Sequence, residues 1–268
     1  MKLGTLVVAA LLVVACEGGA TGALAGFTLP ATDLDVVVTS VADGDSFRAE
    51  SSAGEIEVRL LGINSPELDE CHGQPAREAL VDLIDDRTIG LATEPELDQF
   101  DRVLARAVVD GVYVNLQMVS DGHSLAVTDG STDRGMFLEA EEVARASEIG
   151  LWASNVCGAV GPRAALEITG IDYDPPGVDD DESVTITNSG TDPIDLAGFV
   201  LRDESSVNRF DFPDITLAPG GELLVVRGCG EGEESTISWC SDQPIWNNEG
   251  DTALLLDEVG RIIDIFRY

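Results

Sequence analysis

The chain has 268 residues, enough for two modest domains. Hydrophobic residues make up 44% and aromatic residues only 5%, so any packed core must rest on Val, Leu, Ile and Ala. With 50 acidic against 15 basic side chains, the formal net charge is −35, which excludes broad, sequence-independent electrostatic adhesion to a polyanion.

Residues 1–16 read as an export signal rather than part of the fold. Met1-Lys2 supplies one positive charge, and the apolar run at 6–15 ends at Cys16. That run is too short for a permanent bilayer helix, which needs about 20 apolar residues. The ending Leu12-Val13-Val14-Ala15-Cys16 resembles a bacterial lipobox, in which the cysteine is lipidated and becomes the first mature residue. The alternative is an ordinary signal peptide with an incidental cysteine. Residues 17–34, rich in Gly, Ala and Thr, form a flexible tether. The expectation is an exported protein at the cell envelope or extracellular surface, held to the membrane through lipid on Cys16.

Five cysteines fit this compartment. Setting Cys16 aside leaves an even number, divided between the two halves of the chain: Cys71 and Cys157, then Cys229 and Cys240. An oxidising compartment favours one bridge within each pair, the alternative being buried free thiols. The acidic charge is spread along both halves, and Lys2 is the only lysine. Such dispersed acidity resembles adaptation to salty surroundings, where a screening length of about 3 Å at 1 M salt lets contact pairs survive while distant repulsion fades.

Residues 35–61 predict three strands in a meander. Val36, Val37 and Val38 are β-branched, Asp43-Gly44-Asp45 is a turn signal, and Ile56, Val58 and Leu60 alternate with Glu57 and Arg59. The spacing predicts a helix over 74–84, with Pro75 in its first turn. Strands follow at 88–92 and 103–109, then an apolar stretch at 112–121 leading to Gly122, then a helix over 137–149. This order suits an OB-type barrel with helices over 35–158.

Residues 159–165 read as a short Gly/Pro linker. Beyond it, strand candidates at 166–171, 183–188, 199–202, 223–227, 253–256 and 261–266 alternate with turn signals, and no helix-period segment occurs. Residues 166–268 are therefore expected to form an all-β sandwich.

Several polar residues gather around the first meander, and each has a bland reading. Asp43-Gly44-Asp45 suits a hairpin turn, an arginine in a strand is ordinarily solvated, and Ser65-Pro66-Glu67 suits a helix entry. Together they say more. Val41-Ala42-Asp43-Gly44-Asp45-Ser46, then Val58-Arg59-Leu60-Leu61-Gly62-Ile63-Asn64-Ser65-Pro66-Glu67, then Asp101-Arg102-Val103-Leu104-Ala105, with Gly150-Leu151-Trp152 after a helix, resemble the staphylococcal (thermonuclease-like) nuclease family. The resemblance implies a five-stranded OB-like barrel and calcium-dependent hydrolysis of phosphodiester bonds in DNA or RNA. It implies calcium ligands at Asp45, Asn64 and the Ser65 carbonyl, Glu67 as the base that activates water, and Arg59 and Arg102 as the phosphate grip. Those residue types suit the work. Calcium takes oxygen ligands, and the planar, permanently charged guanidinium matches two phosphate oxygens.

The chain departs from the family pattern where Asn64 stands in place of the usual aspartate. One negative charge is lost, and weaker calcium affinity is expected, with Asp43 nearby as a compensating charge. Thr128 stands where relatives can carry a tyrosine, and Gln99-Phe100 occupies the region of their substrate contacts. His72 and His123 have no cluster to join and read as non-catalytic.

The second half resembles a lamin-tail domain over 166–268. The matching residues are 183–188, Ile194-Asp195-Leu196-Ala197-Gly198-Phe199-Val200-Leu201-Arg202-Asp203, Leu217-Ala218-Pro219-Gly220-Gly221-Glu222 and Asn248-Glu249-Gly250-Asp251-Thr252-Ala253-Leu254. This implies an immunoglobulin-like sandwich with a binding or positioning role. The expected protein is a monomeric exported nuclease. The competing readings are a surface binding module whose barrel has lost catalysis and a structural envelope lipoprotein.

Overall fold

A computed structural model describes residues 28–127, 132–175, 182–205, 207–230 and 235–268. The lipobox, Cys16, most of the tether and Thr128 lie outside the described residues. Strands β1 (Leu34–Val41), β2 (Ser46–Ser51) and β3 (Gly54–Leu60) form the expected antiparallel meander. Then come β4 (Ile63–Asn64), helix α1 (Gly73–Ile84), β5 (Thr88–Leu97) and β6 (Val103–Val109). β5 pairs with β1 and β6, and β6 runs parallel to β3 with Val58 opposite Val103 and Leu60 opposite Ala105. That last pairing closes β1, β2, β3, β5 and β6 into a barrel with no free edge between its first and last strands.

The barrel interior follows from alternation. Val58 and Leu60 of β3 and Ala105, Ala107 and Val109 of β6 point inward and are buried. Leu80 and Ile84 of α1 join the same core. The apolar stretch after β6 divides into β7 (Val112–Tyr113) and helix α2 (Val114–Ser120), and β8 (Leu125–Ala126) pairs with β4. Asn115 explains why a polar residue sits inside α2. Its amide accepts the Ala107 N–H at 2.9 Å and donates to the Leu61 carbonyl at 2.9 Å, satisfying barrel backbone that no strand pairs.

The last helix of this half, α3, spans Arg134–Ala146, so it starts and ends three residues earlier than the apolar spacing predicts. The end is set by Glu148, which takes a left-handed conformation with φ of 51°. The Glu148 N–H bonds the Arg145 carbonyl and the Ile149 N–H bonds the Ala144 carbonyl, a helix-ending pattern that Ile149 cannot join as a helical residue. The short Gly/Pro linker carries local structure of its own. Gly161–Ala165 forms a 3-10 turn, and Arg163 pairs with Glu258 and Asp257.

The second half contains β9 (Leu166–Asp172), β10 (Ser183–Asn188), β11 (Ile194–Asp195), β12 (Val200–Arg202), β13 (Arg209–Asp211), β14 (Thr216–Leu217), β15 (Glu222–Val226), β16 (Thr236–Ser238), β17 (Thr252–Leu256) and β18 (Ile262–Arg267). Two four-stranded sheets, ordered β16-β15-β10-β9 and β13-β12-β17-β18, enclose one core. Ile168, Val184, Ile186, Leu223 and Val225 come from the first sheet, and Leu201, Phe210, Ala253 and Leu255 from the second. The short strands β11, β13, β14 and β16 were not expected. They are two or three residues long, too short for alternation to register.

Both cysteine pairs are bonded, Cys71 to Cys157 and Cys229 to Cys240. The first closes 86 residues of sequence, a loop whose cross-linking stabilises by about 4.6 kcal/mol in the chain-entropy account. Among the described residues no helix is long and apolar enough to cross a membrane.

Strand β17 joins the halves. Every residue in it is buried. Ala253 and Leu255 face the sandwich core, whereas Leu254 and Leu256 pack with Val200 against Leu125 and Leu151 of the barrel half. Two ion pairs flank this apolar contact. Glu141 of α3 takes both terminal nitrogens of Arg267, at 2.9 and 2.8 Å, and Glu70 takes Arg202 at 3.3 Å. Leu254→Ala is expected to lower the unfolding free energy of the full chain by about 2–5 kcal/mol and to split its urea transition into two. A single transition with an unchanged midpoint would show that this patch does not couple the halves.

Candidate active site

The Asp43-Gly44-Asp45 turn brings a carboxylate to the mouth of the barrel. The Asp45 N–H donates to the Asp43 carboxylate at 2.9 Å, and the Asp45 carbonyl accepts the Leu60 N–H at 2.8 Å, which fixes the turn on β3. Gly44 is needed for close approach: a Cβ there would fall 2.6 Å from the Ser65 hydroxyl oxygen and 2.8 Å from the Ala76 Cβ. Asp45 is 5% exposed. Its Oδ2 accepts the Ser65 N–H at 2.6 Å and lies 3.3 Å from Arg59 Nη2, and its Oδ1 accepts the Ser46 hydroxyl at 3.1 Å. Burial raises its pKa to about 7; the Arg59 guanidinium opposes the rise and the Asp43 charge adds to it.

Arg59 lies directly across from Ser46 in the β2–β3 register. Its Nη1 donates to the Leu60 and Ile63 carbonyls at 2.7 and 2.8 Å, and its Nη2 donates to Asn64 Oδ1 at 3.3 Å. Asp45 Oδ2 and Asn64 Oδ1 thus converge on one positively charged nitrogen. The Asn64 amide nitrogen is buried with no hydrogen-bond partner, so that side chain is committed by its oxygen alone. Converging hard oxygens suit a hard cation such as calcium, although they carry one formal charge between them. Among the described residues no three His, Cys, Asp or Glu side chains are grouped as a metal cluster. Ser65 lies behind Asp45, with its hydroxyl 2.5 Å from that of Ser124.

Arg102 begins the path into β6. Its backbone N–H and its Nε both donate to the Asp98 carboxylate, at 2.9 and 2.7 Å, and its Nη1 reaches the Ser46 hydroxyl at 3.4 Å. Burial pushes Asp98 upward, but the hydrogen bonds from Arg102 and Phe100 outweigh it and hold that carboxyl below its usual range. The guanidinium carbon also sits 5.2 Å from the centre of the Phe100 ring.

Glu67 follows β4 on a segment anchored at both sides. Its N–H donates to Glu70 Oε2 at 3.0 Å, and a Cβ on Gly73 would fall 1.8 Å from its carbonyl oxygen, so only glycine admits α1 this close. Among the described residues the Glu67 carboxylate forms no ion pair or hydrogen bond. Asp43, Asp45, Arg59, Asn64, Glu67, Phe100 and Arg102 line one cleft of about 380 Å³, together with Ser46, Asp98 and Gln99. All five expected site side chains therefore meet, and Ser65, expected to act through its carbonyl, lies behind them outside the cleft lining.

Other participants were not anticipated. Asp98 stands four residues before Arg102, a spacing that hints at an ion pair. Glu70 gave no signal, because its partners Arg202 and Arg209 lie more than 130 residues away in the sandwich. The same cleft is lined by Glu204, Ser205 and Val207 of the sandwich, which carry no motif. His72 and His123 lie outside the cleft lining and share a 2.9 Å hydrogen bond between Nε2 and Nδ1.

Comparison with known proteins agrees with this geometry. Residues 57–154 match the family described as staphylococcal nuclease homologue, and residues 160–268 match the lamin tail domain. An uncharacterized endonuclease of Haemophilus influenzae is 34% identical over 119 residues, covering 44% of this chain and 66% of that protein. A micrococcal nuclease of Shigella flexneri is 31% identical over 127 residues, covering 43% and 72%. A probable staphylococcal-like nuclease of Oryza sativa is 33% identical over 105 residues, covering 39% and 28%. The chain thus spans just under two thirds of the Haemophilus protein and about a quarter of the rice protein.

The raised pKa of Asp45 has a definite sign. The folded value, about 7, lies above the ordinary 3.8, so the contribution of this group to stability is complete below the ordinary value and is lost as pH rises through about 7. In calcium-free buffer the Asp45 contribution to the melting temperature is expected to fall between about pH 4 and pH 7 and to level off above that, and Asp45→Asn to remove this component. Parallel curves for the two proteins would mean that Asp45 is already ionised at the lower pH.

Proposed function

Because the chain belongs to the staphylococcal nuclease family through its first half and carries a lamin tail domain after it, we propose that it hydrolyses phosphodiester bonds in exposed DNA or RNA. The observation that carries this reading is the meeting of Asp45, Arg59, Asn64, Glu67 and Arg102 in one cleft. A phosphate entering it meets two guanidinium groups, and both remain charged at any physiological pH. Arg102 is oriented by Asp98 through Nε and touches the Ser46 hydroxyl through Nη1 only at 3.4 Å, so its terminal nitrogens can turn to phosphate oxygens. Arg59 exchanges its contacts with Asn64 and Asp45 for the incoming anion. Both cations act most strongly as the phosphorane-like transition state gathers negative charge.

Glu67 accepts a proton from the attacking water, whose oxygen forms the new bond to phosphorus. The leaving oxygen departs with the bonding electron pair and takes a proton from solvent. Glu67 suits this task because its backbone is held from two sides while its carboxylate is not consumed by another partner. Calcium, held by Asp45 and Asn64 with the Ser65 carbonyl, would supply Lewis-acid polarisation of a phosphate oxygen. The neutral Asn64 amide makes that site weak, as suits the about 10⁻⁴–10⁻³ M calcium at which extracellular modules work.

Two further parts of the reading concern place. Both disulfides fit an oxidising compartment, in keeping with export and lipid attachment at Cys16. The acidic surface fits surroundings in which salt screens the repulsion between protein and polyanion. The competing reading, a barrel that binds nucleic acid without cutting it, draws on Asn64 and on the engaged state of Arg59.

Purified protein is expected to cut single-stranded DNA in calcium and to stop in chelator, with Glu67→Gln and Arg59→Ala each lowering the rate by about 100-fold or more. Cleavage that survives both substitutions would remove this mechanism, and binding without any cleavage by the unsubstituted protein would establish the competing reading. Asn64→Asp is expected to tighten calcium binding several-fold in calorimetry, and unchanged affinity would exclude Asn64 as a ligand.

A further inference from the structure

The cleft that holds Arg59 and Arg102 is not built by the barrel alone. Glu204, Ser205 and Val207, from the loop after β12 of the lamin tail domain, line it as well. We propose that this loop is the second wall of the substrate cleft and selects what lies beside the scissile phosphate, favouring an unpaired base with few flanking phosphates. The proposal rests on the phosphodiesterase reading above and adds a residue set from the other domain.

The wall is held in place by named contacts. The Asp203 carboxylate accepts the Ser205 N–H and hydroxyl, each at 2.8 Å, and the Asn208 amide at 2.6 Å, tying both residues to the end of β12. The Thr252 hydroxyl donates to the Glu204 carboxylate at 2.9 Å, and the Glu204 N–H bonds the carboxylate of Asp251. Thr252 is the first residue of β17 and Asp251 immediately precedes it; Leu254 and Leu256 of that strand pack against the barrel. At the root of the loop, Arg202 pairs with Glu70, and these side chains are only 3% and 5% exposed. The same Glu70 oxygen holds the Glu67 N–H. Wall and general base are therefore set by one connected group of contacts, so the wall keeps a fixed place relative to the reacting phosphate.

Its chemistry indicates what it accepts. Phe100 from the barrel is 54% exposed and Val207 from the lamin tail domain 55% exposed, so each domain presents one large apolar side chain at the cleft. An unpaired base has apolar faces that gain from such contacts, stacking on the ring and covering the valine. A base within a duplex keeps those faces stacked on its neighbours. Glu204 adds negative charge beside Asp43 and Asp98, which repels each further phosphate of a long strand at low salt.

The test uses the full chain with three variants: Val207→Asp, Glu204→Gln and, as a control, Val259→Asp at an exposed apolar position outside the cleft lining. Turnover in calcium is measured on methyl 4-nitrophenyl phosphate, a diester without a base, and on a single-stranded DNA oligonucleotide. Binding of the same oligonucleotide with phosphorothioate linkages is measured by fluorescence anisotropy. Val207→Asp is expected to weaken oligonucleotide binding and kcat/KM by about fivefold or more, with the small diester and the control unchanged. Glu204→Gln is expected to raise oligonucleotide kcat/KM several-fold at low salt, with the gain vanishing at high salt. Variants that shift both substrates equally, or neither, overturn the wall. If the unsubstituted protein cuts nothing, the phosphodiesterase reading fails and binding decides the wall by itself: weakened binding by Val207→Asp sustains it, and unchanged binding by both variants ends it.

Discussion

A carboxylate taken out of water must be given partners, and Asp45 obtains them from separate stretches of the chain: the Ser65 N–H, the Ser46 hydroxyl and the Arg59 guanidinium. The local architecture follows from meeting that requirement. Ser65 can reach Asp45 only because Gly44 lacks a side chain, and the segment carrying Ser65 also carries Asn64 and Glu67. Satisfying one buried anion thus draws Asn64 and Glu67 to the same rim of the barrel. Its partners only partly offset the burial, and the residual cost, visible in the raised pKa, leaves the group disposed toward a cation.

The union of the two halves rests on a different interaction. β17 is apolar on both faces, and neither face can be left in water. One face completes the sandwich, and the other finds Leu125 and Leu151, so the lamin tail domain docks rather than trails. The ion pairs at the margins, Glu141 with Arg267 and Glu70 with Arg202, add direction to an apolar contact that has little of its own. Docking in this orientation brings Glu204, Ser205 and Val207 to the cleft that holds Arg59 and Arg102.

The acidity is compatible with the proposed polyanionic substrate because charge acts locally. The net charge of −35 is spread over the chain, while the cleft places Arg59 and Arg102 together. At short range two guanidinium groups dominate a phosphate, and salt removes much of the distant repulsion.

The barrel meander, α1 and the longer strands of the sandwich were legible in the sequence because alternation and helical spacing are local properties, and the family resemblance pointed to Asp45, Arg59, Asn64, Glu67 and Arg102, whose side chains line one cleft. The sequence also limited the cysteines to two pairs, both of which are bonded. The bounds of α3 were legible only to within a turn, since a left-handed glutamate, with none of the usual glycine signal, ends that helix. Only the folded structure shows that residues 161–165 form a 3-10 turn, that Glu70 links Glu67 to Arg202, and that Glu204 and Val207 border the cleft of Arg59 and Arg102. Each of those contacts joins residues far apart in the chain, and their pairing depends on how two finished surfaces fit, which no local pattern of side chains encodes.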